Sequence, residues 1–179
     1  MLLYHYFERS VGPFVSLSGL PLEQAQRIQN RLRIANKTFA AQRNEQYLAR
    51  RKHLEALTRT LFQKKGGHPV RQTPHYMVVG ECPWLATWFE DSGCVQIPIE
   101  EFDLATVSFT YGDMFPTFSP LVTDGLEYRG KVYTYHEILG MIEKYGLPQD
   151  RWQKPDFAQP CYVEVQVWSD DPIVHYQVT

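Results

Sequence analysis

Three segments with the residue pattern of β-strands each contain a side chain that can contact a ligand. The first, at residues 2–7, reads LLYHYF and contains His5, and the second, at residues 75–79, contains Tyr76. A late segment, CYVEVQVW, contains Glu164 on its polar face. Imidazole, phenol and carboxyl groups of this kind bind and polarise small molecules when a fold brings them to one cleft.

A second group of candidate binding residues falls in predicted loops and strand ends, where functional side chains often lie. It consists of Tyr111, Asp113 and Arg129. Asp113 can act as a base, or it can bond the backbone of its own turn. Arg129 can hold a phosphate or carboxylate with two hydrogen bonds, or it can pair with Glu127. The sequence leaves both alternatives open.

Motifs of several large enzyme classes are absent. The chain has no GxxxxGK phosphate loop, no GxGxxG before a helix, no HExxH and no GxSxG. The six histidines never recur at the spacing of a helical metal pair, so no metal site is expected.

Cysteine usage favours a reducing compartment. Cys82, Cys94 and Cys161 form an odd set without CxxC spacing, which argues against a disulfide scaffold. Cys82 is a nucleophile only if a base such as His75 approaches it, and packing is the expected role. The sequence shows no export signal and no apolar stretch of membrane-spanning length, so we expect a cytoplasmic protein that does not bind membranes.

The elements that position these residues follow from periodicity and turn signals. An apolar stripe with helical spacing runs through residues 21–65, and its length predicts a break or bend between about 40 and 46. Thr134 and Glu137 predict a capped helix over residues 135–145, whereas residues 114–130 resemble a long ordered loop. We expect one domain over residues 1–179, of the α+β class, with a mixed or antiparallel sheet.

The order of these elements resembles the ADP-ribosyltransferase fold, particularly its His-Tyr-Glu type. An early LxH strand is followed by a helical stretch, then by a strand, a short helix and a strand in PHYMVVGECPWLATWFEDSGCVQIPI, and a late glutamate strand closes the set. The resemblance implies NAD as substrate. By position, His5 matches the histidine that bonds the nicotinamide ribose, Tyr76 the ring that stacks on nicotinamide, and Glu164 the catalytic glutamate.

Cleavage of the bond to nicotinamide develops oxocarbenium charge, which a carboxylate stabilises. The resemblance therefore predicts that His5, Tyr76 and Glu164 line one cleft. Each residue also has a structural interpretation. His5 can be a strand histidine satisfied by the backbone, Tyr76 a core ring with its hydroxyl at the surface, and Glu164 part of a solvated strand face paired with lysine or arginine. A noncatalytic ligand-binding or interaction domain is the alternative function.

Charge is distributed unevenly along the chain. Residues 22–65 hold eleven Lys/Arg against three Asp/Glu, and the remainder holds seven against seventeen. Such an asymmetry either orients an anionic partner or pairs one part of the fold with another. If five arginines of this segment form one exposed stripe, weak binding of nucleic acid through residues 27–65 is expected. The five are Arg27, Arg31, Arg33, Arg50 and Arg51.

Overall fold

Five strands form one open sheet in the order β3-β1-β2-β5-β4. The computed structural model describes residues 1–151 and 160–177. The strands are β1 (Leu2–Glu8), β2 (His75–Val79), β3 (Ser92–Pro98), β4 (Val107–Tyr111) and β5 (Val163–Val167). Every pairing between them is antiparallel, which confirms the α+β class and the antiparallel form of the predicted sheet.

Strand β5 alternates between two chemically different faces, as its sequence predicts. Val163, Val165 and Val167 point into the main apolar core. Glu164 and Gln166 point to the other side of the sheet. All five residues are buried because β5 lies between β2 and β4 and both faces of the sheet are covered.

Helix α5 (Tyr135–Tyr145) covers the valine face and has the predicted bounds. Its buried Ile138 belongs to the main core. The predicted capping box is present: the Glu137 carboxylate accepts hydrogen bonds from the backbone N–H of Thr134 at 2.8 Å and from its hydroxyl at 3.1 Å. These bonds satisfy polar groups at the start of the helix and fix where it begins.

The basic segment forms two helices, α1 (Leu22–Ala35) and α2 (Tyr47–Lys64), on the opposite side of the sheet. The predicted break is confirmed, but it begins earlier, at Asn36, whose φ of 50° is left-handed. Asparagine tolerates this conformation better than most residues, so the helix ends there. A 3₁₀ turn, Phe39–Gln42, lies within the connection.

Two short helices flank the sheet. The first, α3 (Pro83–Ala86), lies in the predicted helical segment between β2 and β3. The second, α4 (Met114–Thr117), lies where a loop was expected. Asp113 caps it by accepting a hydrogen bond from the Phe115 N–H at 2.7 Å. Pro116 falls in the first turn, where no backbone N–H is needed, so it does not break the helix.

Across the two described parts of the chain, no helix combines the length and the apolar character needed to cross a membrane.

Replacing Thr134 with alanine is expected to lower the free energy of unfolding by about 1 kcal/mol, because the helix loses its N-terminal cap. Denaturant titration measures this difference. Thr60→Ala is the matched control, since Thr60 is an exposed threonine within α2 that bonds only back to the Ala56 carbonyl. Equal stability of the Thr134 variant and the wild type would contradict the proposed cap.

Candidate functional site

A cavity of about 450 Å³ lies between the helices and the polar side of the sheet. Its size falls within the range of roughly 300–1,000 Å³ that is typical of small-molecule sites. Strands β1, β2 and β5 supply one wall, while α1, α2 and the connection between them supply another. The N-terminal loop at residues 11–20 and the start of α4 complete the lining.

Glu164 lines this cavity and is only 6 % exposed. Its Oε1 accepts a hydrogen bond from Gln166 at 3.0 Å. The amide nitrogen of Gln166 also bonds Thr110 and its amide oxygen accepts from Ser108, so the carboxyl ends a buried polar network. Within residues 1–151 and 160–177 no lysine or arginine forms an ion pair with Glu164. The interpretation of Glu164 as a solvent-exposed strand residue paired with lysine or arginine is therefore wrong.

Burial raises the pKa of Glu164 well above its usual value, and the nearby negative charge of Asp113 raises it further. Desolvation penalises the charged form of a carboxyl group, and a second carboxylate adds repulsion. Burial therefore favours the protonated form of Glu164. A positively charged ligand group beside it would favour the carboxylate.

Tyr76 also lines the cavity, and its hydroxyl points inward rather than to the surface. It donates a hydrogen bond to Glu55 Oε1 at 2.8 Å. The guanidinium of Arg51 lies over the Tyr76 ring, 4.4 Å from its centroid, and donates to the same Glu55 oxygen at 3.0 Å. Burial raises the pKa of Tyr76 well above its usual value, so it remains a hydrogen-bond donor.

His5 reaches the same cavity through a gap in the sheet. The pairing of β1 with β2 covers only two positions, at Leu3 and Tyr4. Tyr4 and Glu164 share one face of the sheet, because both pair with Val78. Side chains alternate along a strand, so the His5 side chain leaves β1 on the opposite face. Beyond the paired residues the imidazole bonds the Tyr76 carbonyl at 2.8 Å and lines the cavity. All three residues line this cavity, but His5 leaves the sheet on the opposite face from Tyr76 and Glu164.

Both ring nitrogens of His5 are occupied by backbone groups. Nδ1 donates to the Tyr76 carbonyl, and Nε2 accepts the Phe14 N–H at 2.8 Å. The Phe14 ring stacks on the imidazole with centroids 4.0 Å apart. Burial lowers the pKa of His5 to about 4, so the imidazole is neutral. In this structure His5 holds the N-terminal loop against β2, as the structural interpretation expected.

The second candidate group is divided by the fold. Asp113 lines the cavity, where it caps α4 and accepts a hydrogen bond from the Tyr162 hydroxyl at 2.9 Å. Tyr111 faces the main core on the other side of the sheet and donates to the Gly146 carbonyl at 2.8 Å. Arg129 pairs with Asp124 at 2.6 Å, rather than with Glu127. Neither Tyr111 nor Arg129 lines the cavity.

Several side chains of the site were missed by sequence reasoning, namely Arg43, Tyr47, Arg51, Glu55 and Tyr162. Glu55 is 1 % exposed although it lies in a strongly basic helix. The available signal was its position four residues after Arg51, which on a helix places the two side chains together. The sequence analysis placed Arg51 in an exposed stripe of arginines.

The basic segment does not present the full predicted arginine stripe. Arg51 turns inward onto Glu55, so the stripe lacks one of its five members. Arg27 lies 3.9 Å from Glu23 and Arg33 lies 3.5 Å from Glu45, which partly neutralises the exposed face. Weak nucleic-acid binding through the remaining arginines stays a prediction.

Metal ligation and thiol chemistry gain no support from the described residues. They contain no group of three or more His, Cys, Asp or Glu side chains placed to hold a metal ion. The thiol of Cys82 is buried, and burial raises its pKa, which disfavours the nucleophilic thiolate. Cys82 packs with Leu85, Cys161 and Tyr162, as expected.

Replacing His5 with glutamine is expected to change how stability depends on pH. The unfolded imidazole binds a proton near pH 6.5 and the folded one only near 4, so the wild type loses about 3 kcal/mol between these values. The stability gap between wild type and variant should therefore narrow as the pH falls. Denaturant titrations from pH 7.5 to 4 measure it.

His136→Gln is the control, because His136 is exposed on α5. A gap between wild type and His5→Gln that stays constant over this pH range would show that His5 is not held neutral.

Comparisons of this chain with protein-family models, curated proteins and solved structures give no match. Function must therefore be inferred from the cavity itself.

Proposed function

We propose that the chain binds NAD in this cavity and cleaves its bond to nicotinamide, as an ADP-ribosyltransferase-like enzyme. The supporting observation is a buried carboxyl, Glu164, that opens on a cavity also lined by Tyr76 and His5. The three strands that supply these residues are neighbours in the sheet, in the order β1-β2-β5. Aromatic side chains line much of the remaining wall and suit planar rings.

In the proposed reaction the bond between nicotinamide nitrogen and ribose C1′ breaks, and its electron pair stays with nicotinamide. The leaving group becomes neutral, and positive charge passes to the ribosyl oxocarbenium ion. Water or the hydroxyl, amine or other nucleophile of an acceptor then adds at C1′ and loses a proton. The Glu164 carboxylate stabilises the positive charge as it develops on the sugar.

The high pKa of Glu164 is compatible with this role. The nicotinamide ring of NAD is cationic. When it binds, its attraction for the Glu164 carboxylate compensates for the solvation that the carboxylate loses through burial. The hydrogen bond from Gln166 to Oε1 orients the carboxyl toward a defined position. Binding of the substrate would thus convert Glu164 to the form that the reaction uses.

His5 is a positioning residue in this proposal. Its ring holds Phe14 and the Tyr76 carbonyl, and so shapes two parts of the cavity wall. The role that the resemblance implies, a bond to ribose, would require the Phe14 N–H to leave Nε2. Cys82 and Cys94 are free thiols, which agrees with the proposed cytoplasmic location, where NAD is available.

A noncatalytic binding domain is the second candidate. Two observations favour it. The Phe14 N–H already bonds the His5 nitrogen that would bind ribose, and the Arg51 guanidinium already covers a face of the Tyr76 ring that would stack on nicotinamide. Such a domain would hold a nucleotide in the same cavity without breaking a bond. Only an assay of bond cleavage separates the two functions.

Glu164→Gln tests the proposed reaction, because glutamine keeps the shape and the hydrogen bonding while it removes the charge. Calorimetric titration with NAD is expected to show binding by both proteins, with weaker binding by the variant because its neutral amide does not attract the cationic ring. Nicotinamide release should fall about 100-fold or more in the variant, since the lost interaction acts mainly in the transition state.

Glu143→Gln is the matched control, because Glu143 is exposed on α5, away from the cavity lining. Equal nicotinamide release by wild type and Glu164→Gln would reject Glu164 as the catalytic residue. Binding of NAD without any release would favour the noncatalytic domain, and no binding at millimolar NAD would contradict both functions.

Binding of NAD is also expected to release a proton from Glu164. Because burial raises the pKa of this group, affinity for NAD should increase with pH until Glu164 is ionised. The increase is at most about tenfold per pH unit for one proton. ADP-ribose, which lacks the cationic ring, should not show it.

Calorimetry in buffers of different ionisation enthalpy measures the released proton directly. The proton release should vanish in Glu164→Gln and persist in Glu143→Gln. A pH dependence that survives in Glu164→Gln would assign the titrating group elsewhere.

A further inference from the structure

Arg43 extends from the connection between α1 and α2 into the cavity wall. The backbone before it is fixed from two sides. Gln29 of α1 donates a side-chain hydrogen bond to the Ala40 carbonyl at 2.6 Å. The Phe39 N–H donates to the Trp88 carbonyl at 3.1 Å, and the two rings stack with centroids 4.2 Å apart. Arg43 is therefore presented from an anchored turn.

The guanidinium of Arg43 contacts one ring and no counter-charge. Its central carbon lies 4.4 Å from the centroid of Tyr47. Among residues 1–151 and 160–177, no side chain or carbonyl accepts a hydrogen bond from it or forms an ion pair with it. Arg51 differs, because its donors go to Glu55 and the Tyr47 hydroxyl.

Asp113 is the carboxylate whose negative charge acts on Arg43. Asp113 forms no ion pair with the guanidinium within the described residues; its two oxygens accept the Phe115 N–H and the Tyr162 hydroxyl. Burial lowers the pKa of Arg43, yet a guanidinium remains charged in proteins. A partly buried cation without a hydrogen-bonded anion is costly, and a bound anion would remove that cost.

The contacts of Tyr47 place Arg43 close to the proposed nicotinamide site. Arg43 lies over the Tyr47 ring, the Tyr47 hydroxyl accepts a hydrogen bond from Arg51 at 2.9 Å, and Arg51 lies over Tyr76. The free guanidinium and the Tyr76 ring are thus connected through two side chains in one cavity. A ligand that carries both an anionic group and a planar ring can contact the guanidinium and the Tyr76 ring within this cavity.

We infer that Arg43 binds the phosphate groups of the nucleotide that occupies this cavity. The inference rests on the proposed function for the identity of the ligand, since NAD contains a pyrophosphate one ribose away from nicotinamide. A guanidinium can hold two phosphate oxygens at once, which sets orientation as well as affinity. Arg43 would in this way direct the glycosidic bond toward Glu164.

Arg43→Gln tests this assignment with three probes: NAD, ADP-ribose and nicotinamide riboside. Affinity for NAD and ADP-ribose is expected to fall at least tenfold, because both contain the pyrophosphate. Affinity for nicotinamide riboside, which has no phosphate, should change less than twofold. Arg43→Lys should lie between wild type and Arg43→Gln, since lysine keeps the charge and loses the bidentate geometry.

Arg31→Gln is the matched control, because Arg31 is an exposed arginine of α1 outside the cavity lining. Thermal unfolding of each variant establishes that it is folded before titration. Raising the salt concentration should weaken ADP-ribose binding more in the wild type than in Arg43→Gln.

The outcomes separate this inference from the proposed reaction. Unchanged ADP-ribose affinity in Arg43→Gln would overturn the role of Arg43 and leave nicotinamide cleavage by Glu164 standing. An Arg43-dependent affinity for ADP-ribose without any nicotinamide release would support the phosphate site and contradict the enzyme. An equal loss of affinity for nicotinamide riboside would also overturn the inference, because the effect would then not depend on phosphate.

Discussion

The buried carboxylate of Glu55 joins the helices to the sheet. A single oxygen, Oε1, accepts hydrogen bonds from Ser18 at 2.6 Å, Arg51 at 3.0 Å and Tyr76 at 2.8 Å. These donors come from the turn before α1, from α2 itself and from β2. A buried carboxylate is very costly without such partners, so the three segments are tied to one relative arrangement. The cavity exists because the helices are held over the sheet at this point.

The second constraint is the short pairing between β1 and β2, which leaves a gap beyond Tyr4. A neutral imidazole suits this gap because it has one donor for the Tyr76 carbonyl and one acceptor for the Phe14 N–H. A protonated ring would present a second donor to the Phe14 N–H and lose that bond. The charge state of His5 and the closure of the N-terminal loop are therefore linked.

Local sequence patterns predicted the helices and strands well, but they did not predict which elements pack against each other. The strand at residues 75–79 and the cap at Thr134 followed from short-range chemistry, and so did the alternation of Glu164 and Gln166 with valines. Whether that polar face meets water depends on where α1 and α2 pack, which no local pattern encodes. Asp113 before a proline-containing first turn was the available sign of α4.

The excess of positive charge in residues 22–65 has more than one structural role. Exposed ion pairs such as Lys65 with Glu137 at 2.7 Å connect this segment to the acidic remainder, as internal docking predicts, although each pair contributes little to stability. Arg43 and Arg51 instead direct charge into the cavity. The cavity thus combines a cation that has no anionic partner among the described residues with Glu164, a carboxyl that resists ionisation. A ligand with one anionic and one cationic group satisfies both, and this is the charge pattern of NAD.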